Sequence, residues 1–392
     1  MNKSALKVAI SVFLIAFAFG LNITGIAPIL GILGDKYSSY GTSAVQLLQT
    51  LPYILLMGGS LMIGRLAELF SKRKLAIAGL FMIGFFGILP IFYESYWLLL
   101  VARIFIGLGF GLTSPLNTAI IAEFFPPEKR AGFLGLHVVG MGVGCMAGNV
   151  AGGILAGFSY QLFYLVYAIA FISMIGVALL LPDKKPEKKG NADKSSKLNT
   201  TVYALSMASF IHTLFITAYS TNISMYIMGE LNGTTSMTGL ATTVNAAFAL
   251  IVGASFAKIS GALKEATLFT SIIIAAIGYG AMVLAGGMIG VFICSAAVGA
   301  SLSCFMAQCS YLISVSVEKD AVATASGVFS VIGGIGGLLS PVILGLVTNA
   351  MPDGNTPFNQ FMLSAAGMLA LGVAVIISKL KIENKELLMN RR

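Results

Sequence analysis

The chain has 392 residues, is 57% hydrophobic and only 10% charged, and has a mean hydropathy of +0.92. An ordinary soluble domain carries about 25% charged residues, so this composition excludes one and describes a membrane protein. The formal net charge of +9 invites a nucleic-acid partner, but the placement of the basic residues assigns it to membrane orientation instead.

Apolar stretches of about 20 residues, each able to cross a hydrocarbon core of about 30 Å, recur along the whole chain. Twelve are predicted: 7–30, 45–67, 75–93, 97–122, 132–157 and 160–181, then 201–228, 237–257, 266–285, 288–313, 323–349 and 358–378. The first, with Lys3 and Lys7 ahead of it, has the outline of a signal peptide. An even helix count and an internal repeat both require it as a span. With both termini cytoplasmic, the inner segments hold every Lys and Arg except Lys36, outside, and Arg103, within the membrane. The expectation is a multi-pass protein of the cell inner (cytoplasmic) membrane, embedded in the lipid bilayer, with no nucleic-acid partner. Cys145, Cys294, Cys304 and Cys309 sit in apolar spans without metal-ligand spacing, so no disulfide framework and no metal site is implied.

Between the second and third spans runs GRLAELFSKRK, residues 64–74. Gly64 predicts a tight turn, and Glu68 with Lys72, Arg73 and Lys74 would pin two helix ends together. Such charge pairs are individually weak, which suits a latch that must open. In the fourth span Arg103 is the sole cation within the membrane, so its cost must be offset by partners or by reach toward water. Helical spacing puts Arg103, Gly107, Phe110, Ser114 and Asn117 on one face, a candidate cavity wall. Two roles stand open for Arg103: tying backbone carbonyls of neighbouring helices, or acting in substrate or proton coupling.

The fifth span, GLHVVGMGVGCMAGNVAGG (135–153), carries glycine at 135, 140, 142, 144, 148, 152 and 153. Small residues at intervals of four, as at Gly144, Gly148 and Gly152, let helix backbones approach closely. The polar stretch PDKKPEKKGNADKSSKLN (182–199) reads as a flexible tether, dividing the chain into a six-helix half at 1–181, a cytoplasmic linker at 182–200 and a second half at 201–392. At an offset of 192 residues Gly135, Gly144 and Gly153 fall on Gly327, Gly336 and Gly345, so the halves are repeats.

None of the fifteen acidic residues lies deep in the bilayer. The remaining titratable candidates there are His137, one turn into the fifth helix, and His212, near the middle of the seventh. Tyr219, Asn222 and Tyr226 follow His212 on a similar face.

The 64–74 loop resembles the signature of the major facilitator superfamily through Gly64, Leu66, Ala67, Glu68, Lys72 and Arg73, with Leu69 and Ser71 departing from it. Arg103, Gly107 and Gly109 are similar to that family's fourth-helix motif, and Glu123, Pro126, Pro127 and Arg130 to its following loop. Gly135, Gly144, Gly148, Gly152 and Gly153 resemble the antiporter signature of the twelve-helix drug/proton antiporter branch. Asn149 replaces the expected proline, and Pro341 holds the equivalent place in the repeat.

The resemblance implies an all-α membrane fold of twelve transmembrane helices in two pseudo-symmetric six-helix bundles. It implies a cavity lined by the first, fourth, seventh and tenth helices, where Thr24 is a polar position and Asn22, Arg103, Thr113, Ser114, Asn117, His212, Tyr219, Asn222, Gln308 and Tyr311 are the candidate substrate contacts. Arg103, His137, His212 and Glu123 are coupling candidates. Gly64, Glu68, Arg73, Gly144, Gly148, Asn149, Gly152, Gly153 and Pro341 are gating candidates. The expected function is proton-coupled export of a small organic molecule or drug by alternating access, by a monomer. The alternative is uptake or exchange of a small organic anion with Arg103 as counter-charge. A receptor or chaperone that kept the fold is a further rival. No nucleotide-binding glycine loop, catalytic constellation or cofactor is indicated, so an enzyme is not expected.

Overall fold

The computed structural model describes residues 3–21, 25–184, 199–317 and 322–389. Asn22, Thr24 and residues 185–198 of the expected linker lie outside them. A backbone within hydrocarbon finds no water, so each apolar segment must close its hydrogen bonds internally. Helices carry the described residues throughout, and no strand occurs among them.

The first half of the sequence forms α1 (Lys3–Gly20), α2 (Leu30–Lys36), α3 (Thr42–Thr50), α4 (Pro52–Leu69), α5 (Lys72–Ile88), α6 (Tyr96–Phe124), α7 (Pro127–Phe158) and α8 (Ile169–Leu180). The second forms α9 (Thr200–Met225), α10 (Thr235–Leu263), α11 (Thr267–Ala285), α12 (Gly287–Ser316), α13 (Val322–Thr348) and α14 (Pro357–Met389). Nine stretches among the described residues are long and apolar enough to cross a membrane. One of them, Thr235–Ala285, comprises both α10 and α11, joined by a short 3-10 turn at Lys264–Ala266. The architecture is the all-helical membrane fold that the sequence predicts.

Two local expectations are corrected. The first span is not one helix: α1 ends at Gly20, Gly25 takes a left-handed φ of 55°, and Pro28 lies in a single 3-10 turn before α2. The tight turn expected at Gly64 falls instead at Phe70 and Ser71, because α4 continues to Leu69. Ser71 is the residue suited to stop it: its Oγ accepts from the Lys74 amide (3.4 Å) and caps α5.

Contacts gather the chain into two compact units: Met1–Ser196 with Ser220–Ala247, and Lys197–Tyr219 with Phe248–Arg392. Unit one holds two apolar cores, one around Ile26, Leu30, Leu48, Ile106 and Tyr167, the other around Val12, Leu80, Leu116 and Ile120. Unit two is packed around Leu214, Ala218 and Leu344.

The same helix contact occurs inside each unit. In unit one a Cβ on Gly144 of α7 would lie 2.2 Å from the Phe17 carbonyl oxygen of α1. In unit two a Cβ on Gly336 of α13 would lie 2.2 Å from the Phe210 carbonyl oxygen of α9. One turn on, Gly148 rests on the Leu21 carbonyl, while Ser340 donates to the Leu214 carbonyl at 2.6 Å. These pairs keep the sequence offset between the glycine-rich helices, so the repeat extends to how their backbones dock.

Candidate functional site

Arg103 is 2% exposed, and unit one explains how α6 carries a cation there. The Leu48 carbonyl in α3 would ordinarily accept from the amide four residues on, but that residue is Pro52 and has no N–H. Arg103 Nε donates to this carbonyl at 2.8 Å, and Nη1 donates to the Tyr167 hydroxyl at 2.8 Å. Gly107, one turn along α6, permits the approach, since a Cβ there would lie 2.1 Å from the Pro52 carbonyl oxygen.

A guanidinium has five N–H donors, so three remain without a protein partner among the described residues. No carboxylate among them pairs with Arg103. Beside Nη2 sits Gly25, where a Cβ would lie 2.4 Å from Nη2 and 2.7 Å from Gln49 Oε1. Only glycine both tolerates that φ and leaves room for the Arg103 and Gln49 side chains beside it. Gln49 is held in turn, its Oε1 accepting from the Ile26 amide at 3.0 Å.

These groups open on a cavity of about 270 Å³ lined by Phe19, Gln49, Pro52, Tyr53, Leu56, Arg103, Phe110 and Met141. It is a mostly apolar chamber with one charged and two polar contributors, the composition of a site for an organic molecule rather than for an ion alone.

The structure brings together only part of the expected site. Arg103 and Phe110 line this cavity, but Gly107 packs on α4. Thr113 satisfies itself on its own helix, Oγ1 donating to the Gly109 carbonyl at 2.9 Å. Ser114 is half-buried. Asn117 bonds the Val12 carbonyl (3.2 Å) and His137 Nδ1 (2.8 Å). Asn222 is buried in unit one, where its Oδ1 accepts from Gln46 Nε2 at 2.6 Å.

The remaining candidates belong to unit two. His212 is buried flat on the Phe305 ring, with centroids 3.9 Å apart, and its Nε2 lies 3.2 Å from Ser301 Oγ. Tyr219 donates its hydroxyl to Ser295 Oγ at 2.7 Å. Gln308 accepts from Ser260 at 3.3 Å, and Tyr311 is exposed. Sequence reasoning missed Gln46, Gln49, Tyr53 and Tyr167. The signal for the two glutamines was present: amides three residues apart in an apolar span share a face and need partners.

At the end of unit one where α5 begins and α6 finishes, Lys72 Nζ pairs with Glu123 Oε2 at 2.9 Å, and Arg73 donates to the Ala178 carbonyl. Glu123 is thus the acid that meets the basic cluster, and Glu68 is exposed. At the opposite end Lys36 pairs with Glu94, whose Oε1 also accepts from the Tyr160 hydroxyl at 2.7 Å. Hydrogen bonds from Lys36 and then Tyr160 hold the Glu94 carboxyl below its ordinary range.

Among the gating candidates, Gly144 and Gly148 pack on α1, and Gly152 takes the Phe163 ring. Gly153 meets α10, 3.0 Å from the Thr235 carbonyl oxygen and 3.1 Å from Gly239 Cα when given a Cβ. Asn149 is buried, with its carbonyl against Gly239. Pro341 is buried within α13.

A family model described as "Major Facilitator Superfamily" matches residues 12–203 and 205–388. The chain is 23% identical over 386 residues to "Quinolone resistance protein NorA" of Staphylococcus aureus (strain MRSA252), covering 96% of each. It is 25% identical over 185 residues to "Sphingosine-1-phosphate transporter SPNS2" of Danio rerio, covering 46% of this chain and 37% of that one. Among solved structures it resembles the nucleoside transporter NupG, D323A mutant (TM-score 0.77, 13% identity, 96% and 99% coverage). It also resembles a bacterial homolog of the human lysosomal transporter Spinster in its inward-facing and occupied conformation (TM-score 0.76, 16% identity, 96% and 95% coverage).

Proposed function

From the fact that this chain belongs to the major facilitator superfamily, and is therefore a multi-pass membrane transporter rather than an enzyme, we infer that it exports small organic molecules by proton-coupled alternating access. The observation that carries the reading is end-to-end similarity to a drug-resistance protein, since the match spans 96% of both chains. The glycine pattern from Gly135 to Gly153 supports the same direction. In this reading the chain works as a monomer in the cytoplasmic membrane with both termini inside, and two halves, 1–181 and 201–392, rock about a central site.

Inverted vesicles containing the purified protein test it with a fluorescent quinolone as probe. An acid interior should drive accumulation of the probe, and collapse of the pH gradient should release it. Gradient-independent flux would overturn proton coupling.

A second reading, uptake or exchange of an organic anion, is favoured by Arg103, with three N–H groups unpartnered and no neutralising carboxylate among the described residues. It predicts flux that depends on an organic anion on the opposite face of the membrane.

A further inference from the structure

Asn117 and His137 form a contact whose chemistry is more constrained than its size suggests. Asn117 is 1% exposed; its Nδ2 lies 3.2 Å from the Val12 carbonyl oxygen and 2.8 Å from His137 Nδ1, and its Oδ1 is buried without a hydrogen-bond partner among the described residues. A carbonyl oxygen can only accept, so the amide must turn its nitrogen toward Val12. That same nitrogen then faces Nδ1, which must also accept. This arrangement fits a neutral imidazole with its proton on Nε2.

We propose that His137 Nδ1 is the proton-carrying site of the transport cycle, and that Asn117 is the positioning residue that passes its protonation to α1. A proton taken from water onto the Nδ1 lone pair sets N–H against N–H. The contact survives only if the amide turns over, so that Oδ1 accepts from the new Nδ1–H. Oδ1 then confronts the Val12 carbonyl, acceptor against acceptor, and the tie between α1 and α6 is lost. Release of the proton restores it. The orphaned Oδ1 is the partner held ready for the charged imidazole.

The surroundings leave this switch to His137. From α1, packed in parallel on α7 through Phe13 beside Gly140 and Phe17 beside Gly144, the nearest titratable group is Lys7. From α6 it is Glu123, already paired with Lys72. On α7 itself Lys129 and Arg130 lie two turns away, and Arg130 is spent on the Phe125 and Ala122 carbonyls at 2.9 and 2.8 Å. Asn117 is the one hydrogen-bond partner of His137 among the described residues, and the ring is half-buried.

The inference rests on the proton-coupled reading above, and its test separates the two. The chain has two histidines, so imidazole nitrogen NMR of the labelled protein in bilayers gives two sets of signals, assigned with His137→Gln. His137 should appear as the Nε2–H tautomer at alkaline pH and become doubly protonated on acidification. An Nδ1–H tautomer, or an imidazole that stays neutral down to pH 5, overturns the proposal without any transport assay.

In vesicles with the quinolone probe, His137→Gln should lose at least tenfold of pH-driven accumulation while exchange falls less than threefold. Asn117→Leu should keep the histidine titration but lose the coupling. If wild type exchanges the probe and His137→Gln still accumulates it under a pH gradient, this proposal fails and the transport reading stands. If wild type shows exchange but no response to pH, proton coupling fails and this site falls with it.

Discussion

Arg103 is a structural residue first, and the organic-anion reading gives it a second task. Its Nε replaces the backbone donor that Pro52 lacks, Nη1 holds the Tyr167 hydroxyl, and Nη2 lies beside Gly25. Arg103→Lys keeps the charge but cannot hold Leu48 and Tyr167 together from one rigid fork. A hydrogen bond to a charged group contributes about 1.5–3 kcal/mol, so the substitution should weaken binding of an anionic probe by on the order of tenfold or more, read as Kd by fluorescence quenching. Glu94 makes a different case, at the water-facing end of unit one. Its folded pKa is depressed, so it contributes stability above the ordinary carboxylate range, and that contribution disappears as pH falls through the lowered value. Wild-type Tm should therefore drop more steeply on acidification than that of Glu94→Gln, with the difference confined to acid pH. Parallel Tm curves would remove Glu94 from the account.

At the scale of helices, Arg103 was legible as a candidate and its partners were not. The isolated Arg103 was visible because a lone cation in an apolar span is costly. That it would find a carbonyl freed by Pro52 depends on α3 meeting α6, which spacing along one helix does not report. Thr113 and Asn117 were read as cavity lining for the same reason: helical spacing gives a face, not what covers it. The latch between α4 and α5 shows a related limit. Its acid was sought nearby in sequence, at Glu68, yet Lys72 reaches Glu123 at the far end of α6. The pair is partly exposed, with side-chain exposures of 27% and 19%, so it should contribute about 1 kcal/mol or less. Lys72→Glu and Glu123→Lys should each lower Tm by a degree or two and the double exchange should recover most of it. An additive double exchange would show that the contact has no energetic content.

For the molecule as a whole, hydropathy alone carried the helical membrane class, because a bilayer leaves apolar segments of this length few alternatives to helices. The expected orientation, with both termini inside, rests on where the lysines and arginines fall, and it can be tested cleanly because the four native cysteines are buried. A cysteine placed at Lys188 should react with an impermeant maleimide only after the membrane is opened, and one placed at Asp353 should react in intact cells. The reverse pattern would invert the topology. The paired approaches of Gly144 to Phe17 and of Gly336 to Phe210 have a consequence of another kind. Each leaves no volume for even a methyl group, whereas Gly135 and Gly327 look onto open space. A saturation scan of growth under drug challenge should therefore trace two matching troughs of intolerance, separated by the offset between Gly144 and Gly336, each flanked by a permissive glycine. The ancestry of the chain, hidden by divergence of its letters, would be written in which positions refuse to change.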